Sequence, residues 1–146
     1  MRVHQKTKAS LLFFSLFFTI AECLACSCVV SNPSDKEQVE QMLRDSQKIF
    51  VGKVQASIAP RGTDSHRSFR FEVYEVFKGQ SRRIETVFTS ISSAACGTTL
   101  ATGKIYLVAA RGEDKRLLIN SCERPVEVEF VQEQLRMLRQ TLKVRS

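Results

Sequence analysis

Cys26 and Cys28 stand one residue apart directly behind an apolar run, and that placement sets where the folded chain begins and what can hold it. Arg2, Lys6 and Lys8 form a basic head, Leu11 to Ile20 an apolar core, and Cys23 and Ala25 small residues at the third-last and last positions before Cys26. This is the pattern of a secretory signal peptide over residues 1–25, cut before Cys26. The apolar core is about half the roughly 20 residues that a membrane span needs. A lipoprotein signal also places a cysteine after the cut, but it wants leucine where this chain has Cys23. No second apolar run follows. Residues 26–146 are therefore expected as one exported, water-soluble domain, extracellular or periplasmic according to the cell, and free of the membrane once the leader is gone.

With Cys23 removed, four cysteines remain: Cys26, Cys28, Cys96 and Cys122. An even number in a small exported domain reads as two disulfides. Three pairings exist. Cys26–Cys28 closes a strained short ring, and the other two both tie the N-terminus to distant points. A loop of some 70 residues contributes about 4 kcal/mol in the chain-entropy description. The competing use of four cysteines is a thiolate zinc site, but C-x-C with two lone cysteines departs from the usual spacing.

The net charge of +7 falls to +5 when Arg2, Lys6, Lys8 and Glu22 leave with the leader. Charges of both signs are interspersed, so the excess describes a solvated surface. An anionic polysaccharide is the partner that such an excess allows. No stripe of basic and aromatic residues marks a nucleic-acid site, and a monomer is expected.

Ser34-Asp35-Lys36-Glu37 is a capping box, and Val39, Met42 and Leu43 share a face behind it, which predicts a helix over residues 35–46. Five short β-patterned runs follow: 49–58, 68–77, 84–89, 104–110 and 117–120. Gly52 marks a bend in the first, and Val76-Phe77 breaks the alternation of the second as a bulge does. Residues 90–99 read as a loop around Cys96. Val131, Leu135, Leu138 and Leu142 lie on one face of a helix predicted over 127–143, with acidic residues at its start and basic ones at its end. Its apolar stripe is expected to dock on the chain's own sheet. Five strands with two flanking helices in this length predict a mainly β fold, a five-stranded OB-like antiparallel barrel.

Catalytic equipment is sparse. His66, in a polar loop, is the one histidine behind the leader, and no HExxH, phosphate-binding glycine loop or G-x-S-x-G is present. A Ser or Cys nucleophile needs a base, and Glu72 and Glu75 point to different faces of a strand. No enzymatic role and no cofactor are expected.

Five segments stand in a telling order: Cys26-Ser27-Cys28-Val29, Ile49 to Val54, Phe71 to Gly79, Ser93-Ala94-Ala95-Cys96-Gly97 and Gly103 to Val108. Through them the chain resembles the netrin-like domain family and, within it, the N-terminal domain of tissue inhibitors of metalloproteinases and their short bacterial-type relatives. The resemblance implies disulfides Cys26–Cys96 and Cys28–Cys122. It implies that the amine and carbonyl of Cys26 chelate the catalytic zinc of a target metalloendopeptidase, zinc being a metal that takes nitrogen and oxygen ligands. Ser27 then enters the pocket for the residue after the scissile bond. Cys28, Val29 and Val30 follow along the cleft, and Ala94 and Ala95 form a second contact ridge. The chain departs from the pattern in having Val29-Val30-Ser31 where a proline is usual, and neither the domain's third disulfide nor the family's C-terminal subdomain is expected. The alternative within the same family is an exported binding module for another extracellular protein or polyanion, without protease inhibition.

Overall fold

The computed structural model describes residues 26–28, 32–80, 82–113 and 115–145. The expected leader, Val29 and Val30 lie outside the described residues. The helix α1 runs over Asp35–Asp45 and opens on the capping box read from the sequence. The Glu37 amide donates to Ser34 Oγ at 3.4 Å, and the Glu37 carboxylate takes the Ser34 amide at 2.8 Å. These two bonds occupy donors that a helix start otherwise leaves unpaired.

Five strands close into a barrel: β1 (Lys48–Ile58), β2 (His66–Lys78), β3 (Ile84–Ser90), β4 (Ile105–Glu113) and β5 (Arg116–Leu118). Their order is β1-β2-β3-β5-β4, and β4 pairs back onto β1 to complete the ring. Four seams are antiparallel, while β3 and β5 run parallel through Val87–Leu117 and Phe88–Leu118. A two-residue strand β6 (Val126–Glu127) adds to β4.

Bends let so few strands close. The β1–β2 register slips at three places. One slip skips Phe77, the bulge that Val76-Phe77 signals in the sequence, and another falls beside Gly52. A Cβ on Gly52 would sit 2.8 Å from the Glu72 carbonyl oxygen, so only glycine allows β1 and β2 to approach there.

Two apolar clusters share the β1–β4 wall. Inside the barrel Phe50, Val54, Phe69, Phe71, Val87, Val108 and Leu117 pack together, with the Phe50 and Phe71 rings edge to face at 5.5 Å. On the outside Ile49, Val51, Phe77 and Leu107 receive Val39 of α1 and Val131, Leu135 and Leu138 of the C-terminal helix. Burial on both faces is why the start of β1 reads as an unbroken apolar run. That helix, α2, spans Gln132–Arg145 and follows a 3₁₀ turn at Val128–Phe130. The run predicted over 127–143 therefore begins as a strand residue and a tight turn before becoming α-helical. The apolar stripe docks on the barrel as its spacing predicts. Arg139 adds a paired contact from α2 to the Glu75 carboxylate of β2, at 2.7 and 2.9 Å.

Candidate functional site: a disulfide-anchored N-terminal ridge

The ridge is assembled from three segments far apart in sequence. The segment from Cys26 to Cys28 lies between the turn after β3 and the turn after β5. Cys26 is bonded to Cys96, 70 residues on, and Cys28 to Cys122, 94 residues on. This is the pairing that the family resemblance implies. Closing loops of these lengths contributes on the order of 4 kcal/mol each, less when both share one chain reach. The backbone nitrogen of Cys26 donates to the Ala94 carbonyl at 2.7 Å. Cys26 is thus held both through its side chain and through its nitrogen.

The turn that receives it is tightly braced. Ser93–Ala95 forms a 3₁₀ turn that ends at Cys96 with φ 57°, the left-handed region that a side chain seldom enters. The amides of Ala95 and Gly97 both donate to the Ser92 carbonyl, and the Ser92 amide donates to Ser90 Oγ. A Cβ on Gly97 would lie 2.1 Å from the Ser90 carbonyl oxygen. Thr98 is tied to the buried Thr89 hydroxyl of β3 at 3.1 Å. The turn is therefore fixed to the barrel wall, and Cys26 is fixed to the turn.

On the other side the Ser121 amide donates to the Cys96 carbonyl at 2.9 Å, and Ser121 Oγ lies 3.6 Å from Cys26 Sγ. Asn120 Oδ1 accepts from the amides of Cys122 and Glu123, which shapes that turn. The two disulfides touch: Cys122 Sγ is 3.7 Å from Cys26 Sγ and 4.0 Å from Cys96 Sγ. Ser27, Cys28, Ala94 and Ala95 are exposed along the crest, and Cys26 and Cys96 are half-buried beneath it. None of these side chains carries a charge. Glu123, next to Cys122, is engaged by Arg111.

Most of the predicted ridge residues come together. Cys26, Ser27, Cys28, Ala94, Ala95, Cys96 and Cys122 form one continuous surface, and Val29 and Val30 fall outside the described residues. The ridge also includes residues that periodicity does not pick out. Ile91 is 53% exposed, and its amide donates to the Ser65 carbonyl, which brings the loop between β1 and β2 alongside. Within the loop read over 90–99 the sequence carried no separate signal for it. His66 is the first residue of β2 rather than a loop residue, and it faces Ser65 Oγ and Asp64. Ser121 is brought in by the β5 turn and had no separate signal. Cys26, Cys28 and Cys122 place their sulfurs within 4.8 Å of one another, but all are bonded as disulfides, which leaves no thiolate for a metal.

A chemical consequence follows for the nitrogen. As an amide it is a poor metal ligand, since its lone pair is shared with the carbonyl. As a chain-terminal amine in the same place it would offer a lone pair beside its own carbonyl oxygen, a five-membered chelate with preset direction.

Comparison with known proteins gives a family match. The chain matches the family model "Tissue inhibitor of metalloproteinase" over residues 24–133, so the match begins two residues before Cys26. It is similar to metalloproteinase inhibitor 2 of Cricetulus longicaudatus, at 28% identity over 103 residues that cover 68% of this chain and 53% of that protein. It is equally similar to the human and rat proteins of that name, where the match covers 47% of their length. The chain spans about half the length of the curated relatives it matches. On the extent of the family match, this chain belongs to the tissue inhibitor of metalloproteinase family.

Proposed function

We propose that the protein is exported, loses residues 1–25, and inhibits a zinc metalloendopeptidase by placing the Cys26 amine and carbonyl oxygen on the target's catalytic zinc. The observation that carries this reading is the double tether of Cys26, through Sγ to Cys96 and through its nitrogen to Ala94. A protease zinc keeps one coordination position for water or substrate. A chelating pair already held in direction loses little freedom on entering that position. Ser27 then faces the pocket beyond the metal, with a small hydroxyl that fits narrow sites better than deep ones. Ala94 and Ala95 press against the opposite lip of the cleft.

Charge supports the same role. An α-amino group ordinarily titrates near about 8, and it must be unprotonated to ligate. The carboxylate next to Cys122, that of Glu123, is engaged by Arg111. Inhibition is expected to weaken about tenfold for each pH unit below the amine's own pKa, the proton competing with zinc.

The test is an N-terminal variant series on the processed protein against a panel of zinc endopeptidases. One added alanine before Cys26, or acetylation of its amine, is expected to weaken inhibition by at least a hundredfold. If the extended or acetylated protein inhibits as well as the native one, the chelation mechanism is wrong.

A further inference from the structure

The contact between the two disulfides has a chemical use that anchoring alone does not require. Cys28 and Cys122 are both exposed, whereas Cys26 and Cys96 are half-buried. A dissolved thiolate therefore meets the Cys28–Cys122 bond first. Within that bond Cys122 Sγ is covered on one side by Cys26 Sγ at 3.7 Å and Cys96 Sγ at 4.0 Å. Among the described residues no non-bonded sulfur contact of that closeness covers Cys28 Sγ, which leaves it the sulfur for attack.

We infer that Cys28 is a site of thiol modification and that Cys122 relays the exchange to Cys26, so that small thiols redirect the chain's N-terminus. In the first step an external monothiolate RS⁻ bonds to Cys28 Sγ, the Cys28–Cys122 bond breaks, and Cys122 leaves as a thiolate. That thiolate lies 3.7 Å from Cys26 Sγ and 4.0 Å from Cys96 Sγ, beside their bond, and once freed from Cys28 the Cys122 side chain rotates about Cα–Cβ to come in line behind Cys26. In the second step it bonds to Cys26, the Cys26–Cys96 bond breaks, and Cys96 leaves as a thiolate that takes a proton from water. One mixed disulfide and one protein disulfide replace two protein disulfides, and the external thiol supplies the remaining sulfur. No net oxidant is needed beyond the disulfides present.

The outcome matters because Cys26 changes its tether. It leaves the braced turn at Ser93–Ala95 for the turn after β5, and the Ala94 carbonyl no longer fixes its nitrogen. The ridge persists in part while the direction of the leading amine is lost. As a regulatory consequence this rests on the proposed inhibitory role, but the exchange itself does not.

Native processed protein is incubated with millimolar glutathione, quenched in acid, alkylated and digested with trypsin without reduction. The relay predicts that the peptide of residues 84–104 is released carrying an alkylated Cys96. The peptide beginning at Leu117 then stays linked to the N-terminal peptide, which bears glutathione on Cys28. The opposite result, release of the Leu117 peptide with an alkylated Cys122 while residues 84–104 stay linked, overturns the relay. Absence of glutathione from Cys28 overturns the modification site. In a variant carrying both Cys28→Ser and Cys122→Ser, which leaves no free thiol beside Cys26, the same external thiol is expected to leave Cys26–Cys96 intact, and loss of that bond at the native rate also overturns the relay. Parallel protease assays separate the two claims. Exchange in a protein that never inhibited leaves the relay standing and removes the inhibitory reading. Unchanged pairing in a protein that does inhibit removes the relay alone.

Discussion

Single residues decide whether the ridge exists. Cys96 sits in the left-handed region, at a cost of about 1 kcal/mol for a residue with a side chain, because its sulfur must meet Cys26 while its carbonyl receives Ser121. Gly97 is the more exacting position. An alanine methyl there would lie 2.1 Å from one backbone oxygen and 2.8 Å from another, neither at the end of a flexible side chain. Gly97→Ala is expected to cost about 1–3 kcal/mol, the usual scale of forced overpacking, read as a lower urea midpoint. It is also expected to weaken protease inhibition more than this loss of stability explains, since the turn that aims Cys26 must shift. Gly52→Ala, equally tight against the Glu72 carbonyl but remote from the ridge, serves as the comparison. Equal inhibition by Gly97→Ala and native protein would show that the turn's position is not part of the contact.

At the level of elements, α2 is held by what it buries. Leu138 is 1% exposed among residues of both β1 and α1. Leu138→Ala is expected to destabilise the fold by about 2–5 kcal/mol, measured by denaturant unfolding. Arg139→Ala, which removes a half-exposed pair with Glu75, is expected to cost under about 1 kcal/mol. Hydrogen bonds hold the carboxylates of Glu37, Glu127 and Glu133 below their ordinary range through Ser34, Lys104 and Arg136 respectively. Such depressed groups stabilise the folded state at neutral pH, and the contribution fades as pH falls through and below the carboxylate range. Elements were legible wherever the sequence keeps a long period. The capping box at Ser34–Glu37 places α1 within a residue, and the alternation from Phe69 to Tyr74 places β2. The parallel seam between β3 and β5 had no such signal, because two paired residues at Val87–Phe88 and Leu117–Leu118 say nothing of direction. The four cysteines pointed to the ridge, but Ile91, Ser65 and Ser121 join it only because barrel closure brings three turns to one end. Closure is a property of register and bulges, and a linear pattern does not record it.

On the scale of the whole molecule, an ion pair at the foot of the barrel accompanies the apolar clusters. Lys48 Nζ lies 2.9 Å from Glu85 Oε1, with only 4% and 8% of the two side chains exposed, and the Arg82 amide donates to the same carboxylate. It links the start of β1 to β3 across β2. Removing the Glu85 charge strands the Lys48 ammonium away from water, so Glu85→Gln is expected to cost about 3–5 kcal/mol, and Lys48→Met, which leaves Glu85 its bond from the Arg82 amide, less. The double variant Lys48→Met, Glu85→Leu is expected to recover much of this, and a double variant no better than the worse single one would show that the pair is worth more than its absence of charge. The wide sequence separation of the two disulfides has a temporal consequence. Synthesis runs from the amino end, so Cys26 and Cys28 exist as naked thiols until Cys96 and then Cys122 have been made and the strands between them have closed. The first sulfurs to appear are the last to be satisfied, and each newborn molecule passes through an interval in which the pair nearest its beginning is open to any oxidant it meets.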